Sequence, residues 1–501
     1  MAVKQQLVEQ FNFGGGLNLT SDPIHVKDNE TVDCLNVDFD VRGAVKKRLG
    51  SIQRGITEPN PPFDLIVPYR TPGGASNLLG VRWGFGVISI DSGYTFTLIG
   101  SSTQTTGNPN HAIVAGGSAY IVNNQDATLK INGTTATRLG TTANASGNHP
   151  IAKYITFHKN RLFLGNTGDG ANPSRVIFTG SDANPADLEY FKTLSTVDFD
   201  PDDGDEITAI VPFLDQLTVF KRNKIFTLRG NQPSSFIRVL ANPALGCVAP
   251  RSAQAWDKGI MFLSTRGVFS FDGSRATRVS EKIDPALNSL PAEALATAAA
   301  LVFQQRYYLF VNEDSANAWN ETTYVFDFTT GTWTKYRGWN VRHAAIWNRV
   351  GADEMFGIDH VASDKIVQYR ATSITDDLGS DIAAHWTSKW FDFGVPERRK
   401  TGRRMYVYFL ASGQYDVNVD VFKSYQTAGP SQYLVNLDPL GMVWGTGVWN
   451  VEKWGAGLDT IQKRLTGLGT HTTFRVKVYD DSSNPWTLEG LAFVLTPRNL
   501  K

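Results

Sequence analysis

Cysteine is almost missing from this 501-residue chain, which has only Cys34 and Cys247. Without a Cys-x-x-Cys or a second pair, a disulfide framework and a zinc knuckle are both excluded, and two buried free thiols are the expectation. An excess of one charge is missing too. The 48 Lys and Arg balance the 48 Asp and Glu, so no global field draws the chain to nucleic acid or an anionic membrane; any such contact must be local. Long apolar runs are also absent. The longest, ALATAAALVF at 294–303, is too short for a bilayer span, so stable membrane insertion is not expected. The opening MAVKQQLVEQF lacks the apolar core of a secretion signal, and folding in the cytosol is expected.

Catalytic and metal-binding patterns are equally scarce. The eight histidines, at 25, 111, 149, 158, 343, 360, 385 and 471, form no His-Glu-x-x-His and no ligand pair at helical spacing, so no metal site is built on them. Neither a Gly-x-Ser-x-Gly elbow nor a phosphate-binding Walker loop occurs. The triplet Gly14-Gly15-Gly16 opens no clear helix and reads as backbone freedom for a sharp bend or a tight interface. No cofactor and no catalytic residue is assigned, and the chain is expected not to be an enzyme.

Glycine, by contrast, is abundant, at 46 residues alongside 29 Phe. With few helical patterns, this points to an all-β protein rich in tight turns. The stretch GIMFLSTRGVFSFDG at 259–273 shows the recurring unit: an apolar strand, a two-residue reversal, and a second strand closing on Asp-Gly. Related units occur at 77–100, 111–140, 155–181, 207–230, 304–336 and 353–369. Their spacing of about 45 residues matches a four-stranded propeller blade. A β-propeller of six or seven blades over residues 62–371 is the expectation, and two or three separate β-sandwiches are the competing architecture. Residues 1–61 have no evident partner strand and read as an extended N-terminal assembly arm, with a short helix starting near Asp28. Residues 372–501 read as a C-terminal β-sandwich of about eight strands.

Three clusters carry candidate chemistry. The run VDFDPDDGDEIT includes Asp200, Asp202, Asp203 and Asp205. Counted from Asp198, its sixth residue is Asp203 and its twelfth Ala209, so the helix-loop-helix calcium pattern fails. A solvated loop between blades is the plain reading, and a paired-carboxylate glycosidase the rival. Arg398, Arg399, Lys400, Arg403 and Arg404 put five cations in seven residues, either as a solvated loop or as phosphate contacts made without base readout. Trp444, Trp449 and Trp454 recur at a spacing of five, suited to packing at a sandwich edge or to stacking on sugar rings.

The opening FNFGGGLNLTSDP, followed by NETVDCLNVDFDVRGAVKKRLG, resembles tail nozzle proteins of short-tailed bacteriophages, the family called tubular tail protein B or packaged-DNA stabilisation protein. The matching positions are Phe13, Gly14, Gly15, Asn18, Asp22, Pro23, Asn36, Gly43, Arg48 and Gly50. The resemblance implies a homo-oligomeric ring, a hexamer, around the channel through which DNA leaves the particle. It also implies adjacent adaptor or tube rings and tail fibres as partners, non-specific contact with genomic DNA, and a place in the virion tail after assembly in the host cytoplasm. On this reading the acidic run and the basic cluster lie near the channel or an interface. A glycan-binding tail adhesin and a polysaccharide-degrading tail enzyme are the alternatives.

Overall fold

The computed structural model describes residues 5–54, 63–84, 86–100, 103–168, 170–180, 184, 187–314, 319–360, 364–438 and 460–498. Its architecture is all-β: a propeller of seven blades joined to a two-sheet sandwich. Five blades are independent four-stranded antiparallel sheets, spanning 63–99, 111–138, 152–198, 207–242 and 254–278. The sixth and seventh share a 17-residue strand, Thr332–Asn348. Its first half pairs with Asn320–Asp327 as the outer strand of blade 6, and its second half pairs with Asp353–His360 as the inner strand of blade 7.

The unit 259–273 shows why these sequences make blades. Gly259–Ser264 and Gly267–Phe271 are strands joined by Thr265-Arg266. Successive side chains of a strand point to opposite faces. Ile260 and Phe262 therefore pack toward blade 4, with Phe213 and Phe220, while Met261 and Leu263 pack toward blade 6, with Tyr307 and Leu309. A blade has two faces to bury, so its central strands, such as Gly259–Ser264, are buried at every position, whereas outer strands such as Thr135–Arg138 are partly exposed. Each of the seven junctions between consecutive blades, including that between blades 7 and 1, holds one hydrophobic cluster.

The ring is closed by the N-terminal segment. Ser51–Gln53 adds to Asp364–Tyr369 as the outermost strand of blade 7. Most of the preceding segment belongs to the sandwich. One sheet contains Gln6–Gln10, Val37–Phe39 and Val45–Lys47 together with Lys400–Leu410, Thr460–Leu465, Gly469–His471 and Thr487–Pro497. The other contains Gly16–Leu17 and Glu30–Leu35 together with Ala384–Ser388, Asp416–Lys423, Ser431–Asn436 and Phe474–Asp480.

The expected domain division is corrected accordingly. The described part of residues 1–61 is not an arm awaiting another subunit, because its strands pair with C-terminal strands of the same chain. The helix expected near Asp28 is also absent; Glu30–Leu35 is a strand. A capping pattern is a local preference, and here burial of Cys34 between the sheets against Trp386 and its neighbours overrides it.

Candidate functional site

The residues of the family-like opening come together as the joint between propeller and sandwich. Phe13 is fully buried, its ring 4.8 Å from that of Trp386. The Gly14 amide donates to Asn12 Oδ1, and the Phe13 amide to the Gly43 carbonyl. Gly43 has a φ of +90°. Gly15 lies so close to the next segment that a β-carbon there would sit 2.6 Å from the Asn29 carbonyl oxygen. Asn18 donates to the Glu30 carboxylate and accepts the amides of Thr20 and Ser21. Asp22 accepts the Ile24 amide, and the Pro23 carbonyl accepts the Trp390 amide.

The second half of the motif binds the propeller itself. Asn36 adopts a left-handed backbone, with φ of 56°. Its Oδ1 accepts from Arg48 Nε and the Arg337 amide, while its Nδ2 donates to the Ala383 carbonyl. Arg48 is 2% exposed. It is paired with Asp377 through both terminal nitrogens and is stacked 4.7 Å from the Trp339 ring. At Gly50 a β-carbon would lie 1.9 Å from the Asp376 carbonyl oxygen.

Asp38, between these motif positions, is 1% exposed. It binds Arg306 at 2.7 Å, Arg370 at 3.0 Å and the Tyr336 hydroxyl. Burial alone would raise its pKa, but Arg370 and Arg306 outweigh burial and hold the carboxyl well below the ordinary carboxylate range. This region can therefore lock two bodies together; it presents no free reactive group.

The acidic run lies between blades 3 and 4 and is largely neutralised there. Lys221 is buried and donates to the carbonyls of Phe199 and Asp200 and to Asp203 Oδ1 at 2.5 Å. Lys224 binds Asp203 at 2.9 Å and Asp200 at 3.3 Å. Burial opposes the Asp203 charge, but these lysines hold its pKa down to about 2. Asp205 accepts the amides of Arg222 and Asn223, and Asp202 is exposed in the turn.

The basic cluster divides. Lys400 is buried, its ammonium donating to the carbonyls of Val395 and Thr472, and burial lowers its pKa. Arg398 and Arg399 are exposed in the preceding turn. An irregularity between Gly402 and Arg404 leaves both Arg403 and Arg404 exposed, where strict alternation would have turned one inward. Two arginines far away in sequence extend the group. Arg498 donates to Thr401 Oγ1, and Arg464 lies opposite Tyr406 on the neighbouring strand. The exposed arginines thus gather on one sheet of the sandwich, on and beside the interior strand Lys400–Leu410. Trp444, Trp449 and Trp454 lie outside the described residues.

Both cysteines are buried free thiols. Burial pushes Cys34 up to about 12 and Cys247 up to about 11. Among the described residues no group of three or more His, Cys, Asp or Glu is placed to hold a metal ion, and no helix is long and apolar enough to cross a membrane.

No protein-family model and no curated protein matches the chain. Solved structures similar to it include BamB from Moraxella catarrhalis, at 9% identity over 68% of this chain and 98% of that one, with a TM-score of 0.39. YCF48 bound to D1 peptide is 9% identical over 68% of this chain and 99% of that one, with a TM-score of 0.41. The computationally designed Ika8 protein is 11% identical over 64% and 99%, with a TM-score of 0.38. Likenesses at this level concern the fold and transfer no function.

Proposed function

We propose that this chain is a structural subunit of a bacteriophage tail, a nozzle or hub component that assembles into a ring around the DNA channel. The observation that carries the reading is the fate of the family-like opening. Phe13, Gly15, Asn18, Asn36, Arg48 and Gly50, scattered over 38 residues of sequence, all serve one joint between propeller and sandwich. A stiff two-part wall suits a ring that retains and guides a genome. The exposed arginines of the sandwich sheet add a means of meeting phosphates, and contacts made through charge alone let DNA slide.

With the N-terminal segment folded on its own chain, contacts with neighbouring subunits, with an adaptor or tube ring and with tail fibres are assigned to other surfaces. The test is the native mass of the purified protein, alone and mixed with the preceding ring of the tail. A discrete ring, six-fold by resemblance, or a stoichiometric co-complex is expected. A monomer that joins neither assembly would overturn the proposal.

A further inference from the structure

The sandwich sheet that contains Lys400–Leu410 carries aromatic rings among the arginines of its outward face. Along that strand Met405, Val407 and Phe409 turn into the core, so Arg404, Tyr406, Tyr408 and Leu410 turn out. Tyr406 lies between Arg464 on one neighbouring strand and Ala492 on the other, and Tyr408 lies between Gln462 and Gly490. Arg404 lies beside Val494, which in turn faces Leu7.

A third ring reaches this face from the start of the chain. Phe11 follows the strand Gln6–Gln10, and its ring stands 5.1 Å from that of Tyr408. Gly490 is its seat: a β-carbon there would lie 2.1 Å from the Phe11 ring, so the missing atom makes room for it. Phe11 is still 45% exposed, Leu7 58% and Leu410 41%, while both tyrosines are half-buried. Exposed apolar side chains grouped in this way mark an interaction face.

The charge on this face selects what it meets. Arg403, Arg404, Arg464 and Arg498 are exposed there, against the carboxylates of Glu9 and Glu489. Duplex DNA would engage the arginines alone, because its bases are stacked on one another and show only their edges in the grooves. A neutral glycan would engage the rings alone. A single strand engages both, its phosphates meeting the arginines and its unstacked bases meeting the aromatic side chains. Side chains two apart on a strand stand about 6.8 Å from each other, which lets Tyr406 and Tyr408 take successive bases of an extended strand.

We propose that this face binds an extended single-stranded nucleic acid, with bases stacked on Tyr406, Tyr408 and Phe11 and phosphates held by Arg404 and Arg464. Such stacking tolerates any sequence, since every base has a π-face. The inference goes beyond the DNA contact of the proposed tail role and needs only the folded chain, so ring assembly and strand binding fail independently.

The test is fluorescence anisotropy of labelled strands of about 12 nucleotides, oligothymidylate and oligouridylate, titrated with the full chain beside a duplex of the same length. Tyr406→Val and Arg464→Gln are the variants; the first keeps a strand-forming residue without the ring, and the second alters an exposed side chain. A saturable single-strand complex is expected, at least about fivefold tighter than the duplex, and the tighter of the two strands identifies the sugar. Tyr406→Val should weaken it about fivefold or more with its salt dependence unchanged. Arg464→Gln should make the slope of log K against log salt shallower by about 0.7. Melting temperatures of both variants are expected to match that of the parent chain. The proposal falls if neither strand saturates by about 100 μM, if the duplex binds as tightly, or if neither variant changes binding. It also falls if the face instead takes up a second copy of the chain, seen as a concentration-dependent mass that Tyr406→Val abolishes.

Discussion

Asp38 joins three partners from the propeller to a strand of the sandwich, so its ionisation is part of the joint. Its folded pKa lies below the ordinary 3.8. Its contribution is therefore complete above that value and is lost as pH falls toward the folded pKa. Replacing Asp38 by Asn leaves Arg370 buried without its counter-charge and Arg306 with Asp327 alone, and is expected to cost about 3 kcal/mol at neutral pH. The gap between parent and variant should then narrow below about pH 4, which urea denaturation at several pH values would measure. A gap that stays constant with pH would contradict the assignment. Gly50 makes a different kind of demand, because the carbonyl of Asp376 occupies the space of its missing β-carbon. Gly50→Ala is expected to destabilise by about 1–3 kcal/mol in the same assay, with local separation of the two backbones.

The blade is the element most legible in the sequence. Continuous apolar strands such as GIMFLS, broken by Gly and Asp turns, revealed the repeat because a strand buried on both faces has little choice of composition. Elements shared between units were not legible. The strand Thr332–Asn348 belongs to two blades, but in sequence its start reads as the end of the unit 304–336 and the rest, past Gly338 with its φ of +101°, falls in no unit. Ser51–Gln53 is too short to carry a pattern, and its partner lies more than 300 residues away. The site was legible only in part: the arginines of residues 398–404 stand together in sequence, whereas Arg464 and Arg498 join them through strand pairing. Because Ser51–Gln53 closes blade 7, Ile52→Pro should loosen that closure first. Hydrogen exchange is expected to rise across 364–369 before it rises in blade 3; uniform acceleration would argue against a closing role.

At the scale of the whole molecule, one hydrophobic cluster runs from blades 5 and 6 into both sheets of the sandwich, uniting Met261, Tyr307 and Trp333 with Phe13, Trp386 and Phe493. Propeller and sandwich are therefore expected to unfold in one transition, with calorimetric and van't Hoff enthalpies in agreement. Two resolved transitions would mean that the joint is weaker than its buried charges and apolar contacts imply. The exposed arginines act at this scale too. If the chain surrounds DNA, Arg403→Glu combined with Arg404→Glu should leave melting temperature and assembly intact but lower genome retention or alter ejection, with a reduced salt dependence of DNA contact. Unchanged retention and ejection would remove these residues from the channel.

The double use of the N-terminal segment has a consequence for biosynthesis. Residues 6–47 find their strand partners among 384–497, and 51–53 find theirs among 364–369. Residues 6–53 thus leave the ribosome well before their partners, after which they wait about 20–90 s at ordinary elongation rates. During that interval their strand edges and the aromatic side chain of Phe13 have no native cover. A nascent chain stalled before residue 364 lacks the native partners of both strand groups, whereas one stalled after 369 can close the ring while the sandwich waits for its last strand.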